Sequence, residues 1–387
     1  MNYKTWMKIV VALVSIGLIG PAYAGSREQA QRMHERLAGV PPSSQTLADM
    51  QAMIGANNAS GAADLAMDNV NFYNVTLKNF AAPWTNRDQS VFVPLNDYIA
   101  TVIGMIRDSD TVPFNTLLSA DITYVGRNGV VPTGPSASSN QHYAELEVNN
   151  INLRDELERR TQSSIMGIPS GATAGVITSR AAAEAFFIAG TNRAMFRFTL
   201  INHMCNDMEQ IHDVRLPPDR IRQDVPRSPG GDSRLFFNSC IGCHNGMDPM
   251  AQAFAYYNYD ETAGRLVYTA GNVQAKYFNN DANFPQGFRT PNDDWENRWR
   301  EGQNAYLGFD AARPGSGSGA KSLGDELANS EAFASCQVRK VFRTVCLRDP
   351  ENAGDRLAVS NITSTFRGTG YNMKQVFADS AVHCMGQ

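Results

Sequence analysis

Cys240-Ile241-Gly242-Cys243-His244 constrains this chain more than any other stretch of its 387 residues. Two cysteines two residues apart, followed at once by histidine, form the attachment signature of c-type haem. The spacing has a mechanical cause. One helical turn sets both sulfurs at the rim of a porphyrin, each able to add to one vinyl group, and the next residue brings its imidazole under the iron as proximal ligand. A CxxC pair also serves zinc sites and thioredoxin-like redox centres. Zinc would call for a second ligand pair, and no other CxxC, HxxxH or CxxH occurs. The flanking residues offer no βαβ context for a thioredoxin motif. The expectation is one covalent haem, attached by Cys240 and Cys243 and ligated by His244.

The amino terminus agrees with an exported protein. Lys4 and Lys8 precede the apolar stretch 9–19, and Ala22-Tyr23-Ala24 is a small-x-small cleavage site. The apolar run falls short of the about 20 residues a membrane span needs. Residues 1–24 are therefore expected to be a secretory signal peptide, which places the mature chain in a periplasmic or extracellular setting, not membrane-spanning once the leader is cleaved. Cys205, Cys336, Cys346 and Cys384 remain, an even set. Cys336 and Cys346 fall in a segment, 323–347, that reads as one helix, where ten residues span about 15 Å. A disulfide tolerates only about 4.4–6.8 Å between Cα atoms. The favoured pairing is Cys346–Cys384 with Cys205–Cys336, and the crossed arrangement stays open.

Removing Lys4 and Lys8 from a net charge of −4 leaves the mature chain near −6. That argues against nucleic acid as partner and is compatible with a basic redox partner protein. Apolar spacing predicts helices over 26–37, 64–80, 94–107, 179–211, 323–347 and 371–385, with Ser44 as a cap and the short helix 233–244 carrying the CxxCH motif. Alternating aromatic and polar residues in 255–268, around Thr262-Ala263-Gly264, predict a hairpin. The expected fold is mainly α. A helical N-terminal region (25–170) precedes a helical c-type haem domain (171–387) with a small β-hairpin and disulfide-linked C-terminal helices.

A single haem makes the sixth coordination position decisive, because a strong second ligand suits an electron carrier and an open one permits small-molecule chemistry. No Met or His lies between Met250 and Met373, so the usual downstream methionine of small cytochromes c is missing. Met247 and Met250 follow the proximal His244 on its own side. Candidates elsewhere are His203, Met204, Met208 and His212, the last three at helical i, i+4, i+8 spacing, and Met373, His383 and Met385 in the tail. His34 and His142 lie in the N-terminal region. Arg222, Arg227 and Arg234 could pair with haem propionates.

The run Cys240-Ile241-Gly242-Cys243-His244-Asn245-Gly246-Met247-Asp248-Pro249, the aromatic strand 254–259 and Gly264-Arg265 resemble the planctomycete-type cytochrome c domain proteins. Gly175-Val176-Ile177-Thr178-Ser179, Thr191-Asn192-Arg193, and the tail from Ser330 to Arg339 extend the likeness from about residue 170 to the end. The resemblance implies haem attachment at Cys240 and Cys243 and ligation by His244, with Asp248-Pro249 ending the haem helix. It leaves the distal ligand undefined. The leading expectation is an exported monohaem cytochrome that transfers electrons. A peroxidase-like haem enzyme with an open distal site comes second, and a structural or assembly protein carrying an accessory haem third. No Gly-x-Ser-x-Gly or HExxH constellation argues for other chemistry.

Overall fold

The computed structural model describes residues 24–386, and all but the last residue of the expected leader lies outside them. The fold is mainly α: more than half of the described residues are helical. Among those residues the strands form three antiparallel pairs: Thr123–Gly126 with Leu157–Arg160, Tyr257–Asp260 with Arg265–Tyr268, and Asp294–Glu296 with Ser316–Ser318. The middle pair is the expected hairpin, in register Tyr257 opposite Tyr268 and Asp260 opposite Arg265. Its turn uses Gly264 at φ 64°, a left-handed conformation that glycine adopts without a Cβ clash.

Helix ends follow local chemistry. Ser26–Ala38 stops at Gly39, whose φ of 73° closes the last turn on the Glu35 carbonyl. Ser44–Gly55 is capped by Ser43, one residue before the expected cap, because the Ser43 side chain accepts from the Thr46 N–H. Asn96 caps Asp97–Arg107 through the Ile99 N–H, and Ser330 caps Glu331–Cys346 through the Phe333 N–H. Each such cap contributes about 1 kcal/mol.

Four expected helices are divided. Residues 64–80 fall in Ala59–Met67, a π-helical turn Phe72–Leu77 and a short Lys78–Ala81 helix. Residues 179–211 form Arg180–Phe186 and Arg193–Met204, parted where Gly190 and Asn192 take φ 62° and 60°. The second of these ends at Cys205, itself left-handed at φ 52°. Met208 and His212 therefore do not continue a helical face from Met204. Residues 323–347 form Gly319–Ala328 and Glu331–Cys346, and residues 233–244 lie across a helical turn, a π-helical stretch and the helix Ile241–Ala251. Ala353–Gly368 is a further helix that the sequence reading did not anticipate.

One hydrophobic core runs from Ala30 in the first described helix to Ala381 in the last. Met373–Cys384 packs on Ala59–Met67 and Ser26–Ala38 as well as on Glu331–Cys346. The largest hydrophobic core thus draws on both regions, 25–170 and 171–387. Both disulfides join elements of the second region: Cys205 to Cys336, and Cys346 to Cys384. Among the described residues no helix is long and apolar enough to cross a membrane.

Candidate functional site

The helix Ile241–Ala251 carries the motif, with Cys240 at its N-terminal edge. It runs on through Pro249 to Ala251, so Asp248-Pro249 does not end it. Proline this near the C-terminus removes only one interior N–H donor, and the buried contacts of Asp248 hold the last turn in place. Gly242 and Gly246 let neighbours approach the helix closely. A Cβ on Gly246 would lie 2.1 Å from Trp299 Nε1, and one on Gly242 would lie 3.0 Å from His212 Cδ2. Trp299 is fully buried and tilts against Phe196, which fixes the helix on the core.

Cys240 and Cys243 are free thiols, both half-buried, in a chain whose other four cysteines are oxidised. Cys240 packs with Ile221, Val225 and Phe236. The Cys243 thiol lies 3.5 Å from the Met208 carbonyl, and burial, then Glu209 and Asp207, push its pKa up.

His244 is half-buried, and its Nδ1 lies 3.1 Å from Asp248 Oδ2, one turn along the same helix face. Asp248 is fully buried. Arg193 Nε donates to it at 2.8 Å and turns its Nη atoms on Asp224 at 2.7 and 2.9 Å. Arg222, itself buried, donates to the Asp248 carbonyl at 3.3 Å and to Thr191 Oγ1 at 2.8 Å, and lies over the Tyr277 ring. Burial opposes the charge on Asp248, yet Arg193, His244 and Arg222 hold its carboxyl well below the usual range. The segment Thr191-Asn192-Arg193 organises this network. Asn192 Nδ2 donates to the carbonyls of Phe254 and Tyr257, so Arg193 leaves its backbone at a fixed point beside the helix Ile241–Ala251.

A cavity of about 440 Å³ adjoins the motif, lined by Ile221, Phe236, Phe237, Ile241, Phe284 and Phe288, with Arg227 in its wall. Arg227 stacks between the Phe236 and Phe284 rings, 4.9 and 4.2 Å from their centroids. Of the three arginines proposed for propionates, it alone lines this space. Arg222 is consumed by the buried network, and Arg234 is exposed and tied to Asp232.

The candidate distal ligands do not converge. Met208 and His212 adjoin the haem helix, but His212 touches Gly242, about 200° round the helix from His244. His212 is exposed, and its Nδ1 donates to the Glu209 carbonyl. Met204 and Met373 are core residues. His203 is buried against Trp84, with Nε2 2.7 Å from the Tyr98 hydroxyl, and burial, then Lys340, hold its pKa well below the usual value. His383 pairs with Asp355, and the Met385 carbonyl accepts from Arg32. Further off, His142 uses both ring nitrogens, on Thr133 and Gly126, and His34 donates to the Val40 carbonyl.

The donor set fits a covalently held haem. Two free thiols sit one helical turn apart, and the adjacent imidazole has Nδ1 engaged, which leaves Nε2 free to ligate iron. The adjoining cavity, which Ile241 of the motif lines, is largely apolar and holds Arg227 together with Asp219. Among the described residues no three His, Cys, Asp or Glu side chains cluster as a metal cage. Compared with protein-family models, with curated proteins and with solved structures, the chain matches none.

Proposed function

We propose that this protein is an exported monohaem c-type cytochrome, similar to the planctomycete-type cytochrome c domain proteins, that passes single electrons to and from a protein partner. One observation carries the reading: Cys240 and Cys243 stay reduced beside a carboxylate-bound His244, while every other cysteine is paired. Bound haem would supply a one-electron iron couple. Cys240 and Cys243 would hold it by thioether bonds, each sulfur bonding to a vinyl carbon as the thiol proton passes to the other vinyl carbon. His244 would ligate iron through Nε2, and Arg227 would meet a propionate.

Exposed apolar residues beside the motif support exchange with a partner. Phe237, three residues before Cys240, is 59% exposed, and Leu235 and Val214 nearby are also exposed. The mature chain's acidic balance suits a basic partner. The two disulfides support an oxidising, exported setting.

The test is the absorption spectrum of the reduced, purified holoprotein, after denaturing mass analysis has shown haem still attached. A six-coordinate low-spin spectrum is expected, and a five-coordinate high-spin one would sink simple electron transfer. A second reading, a haem enzyme with an open distal site, is favoured by one observation. His212 lies behind the helix, and His203, Met204 and Met373 are buried in the core. Peroxide turnover that depends on haem would support that reading, and none above free haem would remove it.

A further inference from the structure

The geometry points to Asp248 as the positioning residue that orients His244 and sets how strongly its imidazole donates, with Arg193 and Arg222 clamping the carboxylate. The inference rests on the covalent-haem reading above. An isolated His–Asp pair four residues apart on a helix surface would carry little weight. Here Asp248 is fully buried, and its partners come from three separate segments. Arg193 spans Asp248 and Asp224, Arg222 closes on the Asp248 backbone from the far side, and Thr191 holds Arg222. The carboxylate is therefore fixed from several directions, and the ring it faces is fixed with it.

A buried carboxylate at this position is costly unless it is fully paired, and an apolar residue of similar size would pack there more cheaply. What the carboxylate adds is a strong acceptor for the Nδ1–H of His244. That hydrogen bond fixes the tautomer with Nε2 free and raises the basicity of Nε2. A more basic proximal nitrogen favours the oxidised metal, so Asp248 lowers the reduction potential. The charge on Asp248 is neutralised by the two arginines as far as the fold is concerned, while its acceptor oxygen still points at His244.

The experiment compares purified wild-type holoprotein with Asp248→Asn in an optical one-electron titration. At the poise where wild type is half reduced, the reduced-to-oxidised ratio of Asp248→Asn is expected to be at least tenfold higher, equivalent to about 59 mV for a one-electron couple. Asp224→Asn is the control, because it removes a charge from the same network while leaving the contact with His244 intact. A shift as large in Asp224→Asn as in Asp248→Asn would overturn the inference, since charge alone would then explain it. Proton NMR of the reduced wild type supplies a second readout that needs no variant. A His244 Nδ1–H resonance shifted downfield and slow to exchange is expected, and one that exchanges freely overturns the inference even if Asp248→Asn does not fold. Wild type that carries no haem by mass sinks the cytochrome reading and this inference with it. Haem present with coincident potentials sinks the inference alone.

Discussion

Six cysteines in one chain behave in two ways, and the contrast shows what decides their chemistry. Cys205, Cys336, Cys346 and Cys384 meet in pairs, with Cα atoms 5.3 and 5.4 Å apart, and staple the C-terminal helices. Cys240 and Cys243 are closer in sequence than either pair, yet remain thiols. Proximity is therefore not the deciding factor. The motif cysteines stand three residues apart at the N-terminal end of one helix, whereas the paired cysteines come from different elements brought face to face by the core. The first pair also closes a loop that contains the second kind: the chain between Cys205 and Cys336 includes the whole helix Ile241–Ala251.

The largest break in this contrast comes from removing the free thiols. Cys240→Ala with Cys243→Ala is expected to abolish covalent haem completely, read as the mass of the denatured protein. The disulfides do not involve these thiols, and both side chains are only half-buried, so the helical circular dichroism of the variant should match that of wild-type apoprotein. Loss of that signal would show that the motif cysteines carry structure as well as attachment.

Removing the staples instead is expected to cost stability while leaving the attachment chemistry intact. A crosslink's stabilisation grows with the loop it closes. Cys205→Ala with Cys336→Ala opens a sequence separation of 131 and should cost about 5 kcal/mol. Cys346→Ala with Cys384→Ala opens one of 38 and should cost about 4 kcal/mol. Urea unfolding of each variant measures both. A larger loss at Cys346–Cys384 would reverse the ranking and show that local packing, not loop closure, dominates.

The same contrast marks what the sequence made legible. The motif, the hairpin over 255–268 and the mainly α class follow from spacing and short-range rules, whereas helix spacing excluded Cys336–Cys346 and left the structure to choose between the two remaining pairings. The divisions of the long helices do not follow from such rules. Asn192 breaks one because its side chain reaches carbonyls 62 and 65 residues away, a tertiary demand that periodicity does not carry. Cys205 ends the next in a left-handed turn as it joins Cys336, which scatters the apparent Met204–Met208–His212 stripe. Asp248 was read as part of a helix stop. Its spacing of four from His244 was the available signal for a shared face, but the buried arginines that give the pair weight come from residues 193 and 222.

The two cysteine regions also differ in how their helices are held. Staples fix the C-terminal helices covalently, while the haem helix depends on close packing of Trp299 over Gly246. Gly246→Ala places a methyl group 2.1 Å from the indole nitrogen and forces the ring or the helix to shift. Overpacking of this kind costs about 1–3 kcal/mol, less than either staple. Denaturant unfolding is expected to show that loss, and an unchanged midpoint would mean Trp299 can rotate away at no cost.

The smallest effect separates the cysteines by their protons. Burial, with Glu209 and Asp207 nearby, raises the pKa of Cys243 above the ordinary thiol value. The folded apoprotein thus holds the Cys243 proton more tightly than the unfolded chain does. As pH rises through the unfolded thiol range, near about 8.5, the unfolded state loses this proton first, and the contribution of Cys243 to stability declines until its folded pKa is passed. Only the thiolate is nucleophilic. Iodoacetamide should therefore label Cys243 in wild-type apoprotein more slowly at pH 8.5 than after urea unfolding at the same pH, with peptide mass analysis as the readout. Equal rates in the two states would mean that the folded environment leaves the thiol as available as a solvated one, and that only oxidation state separates it from the stapled cysteines.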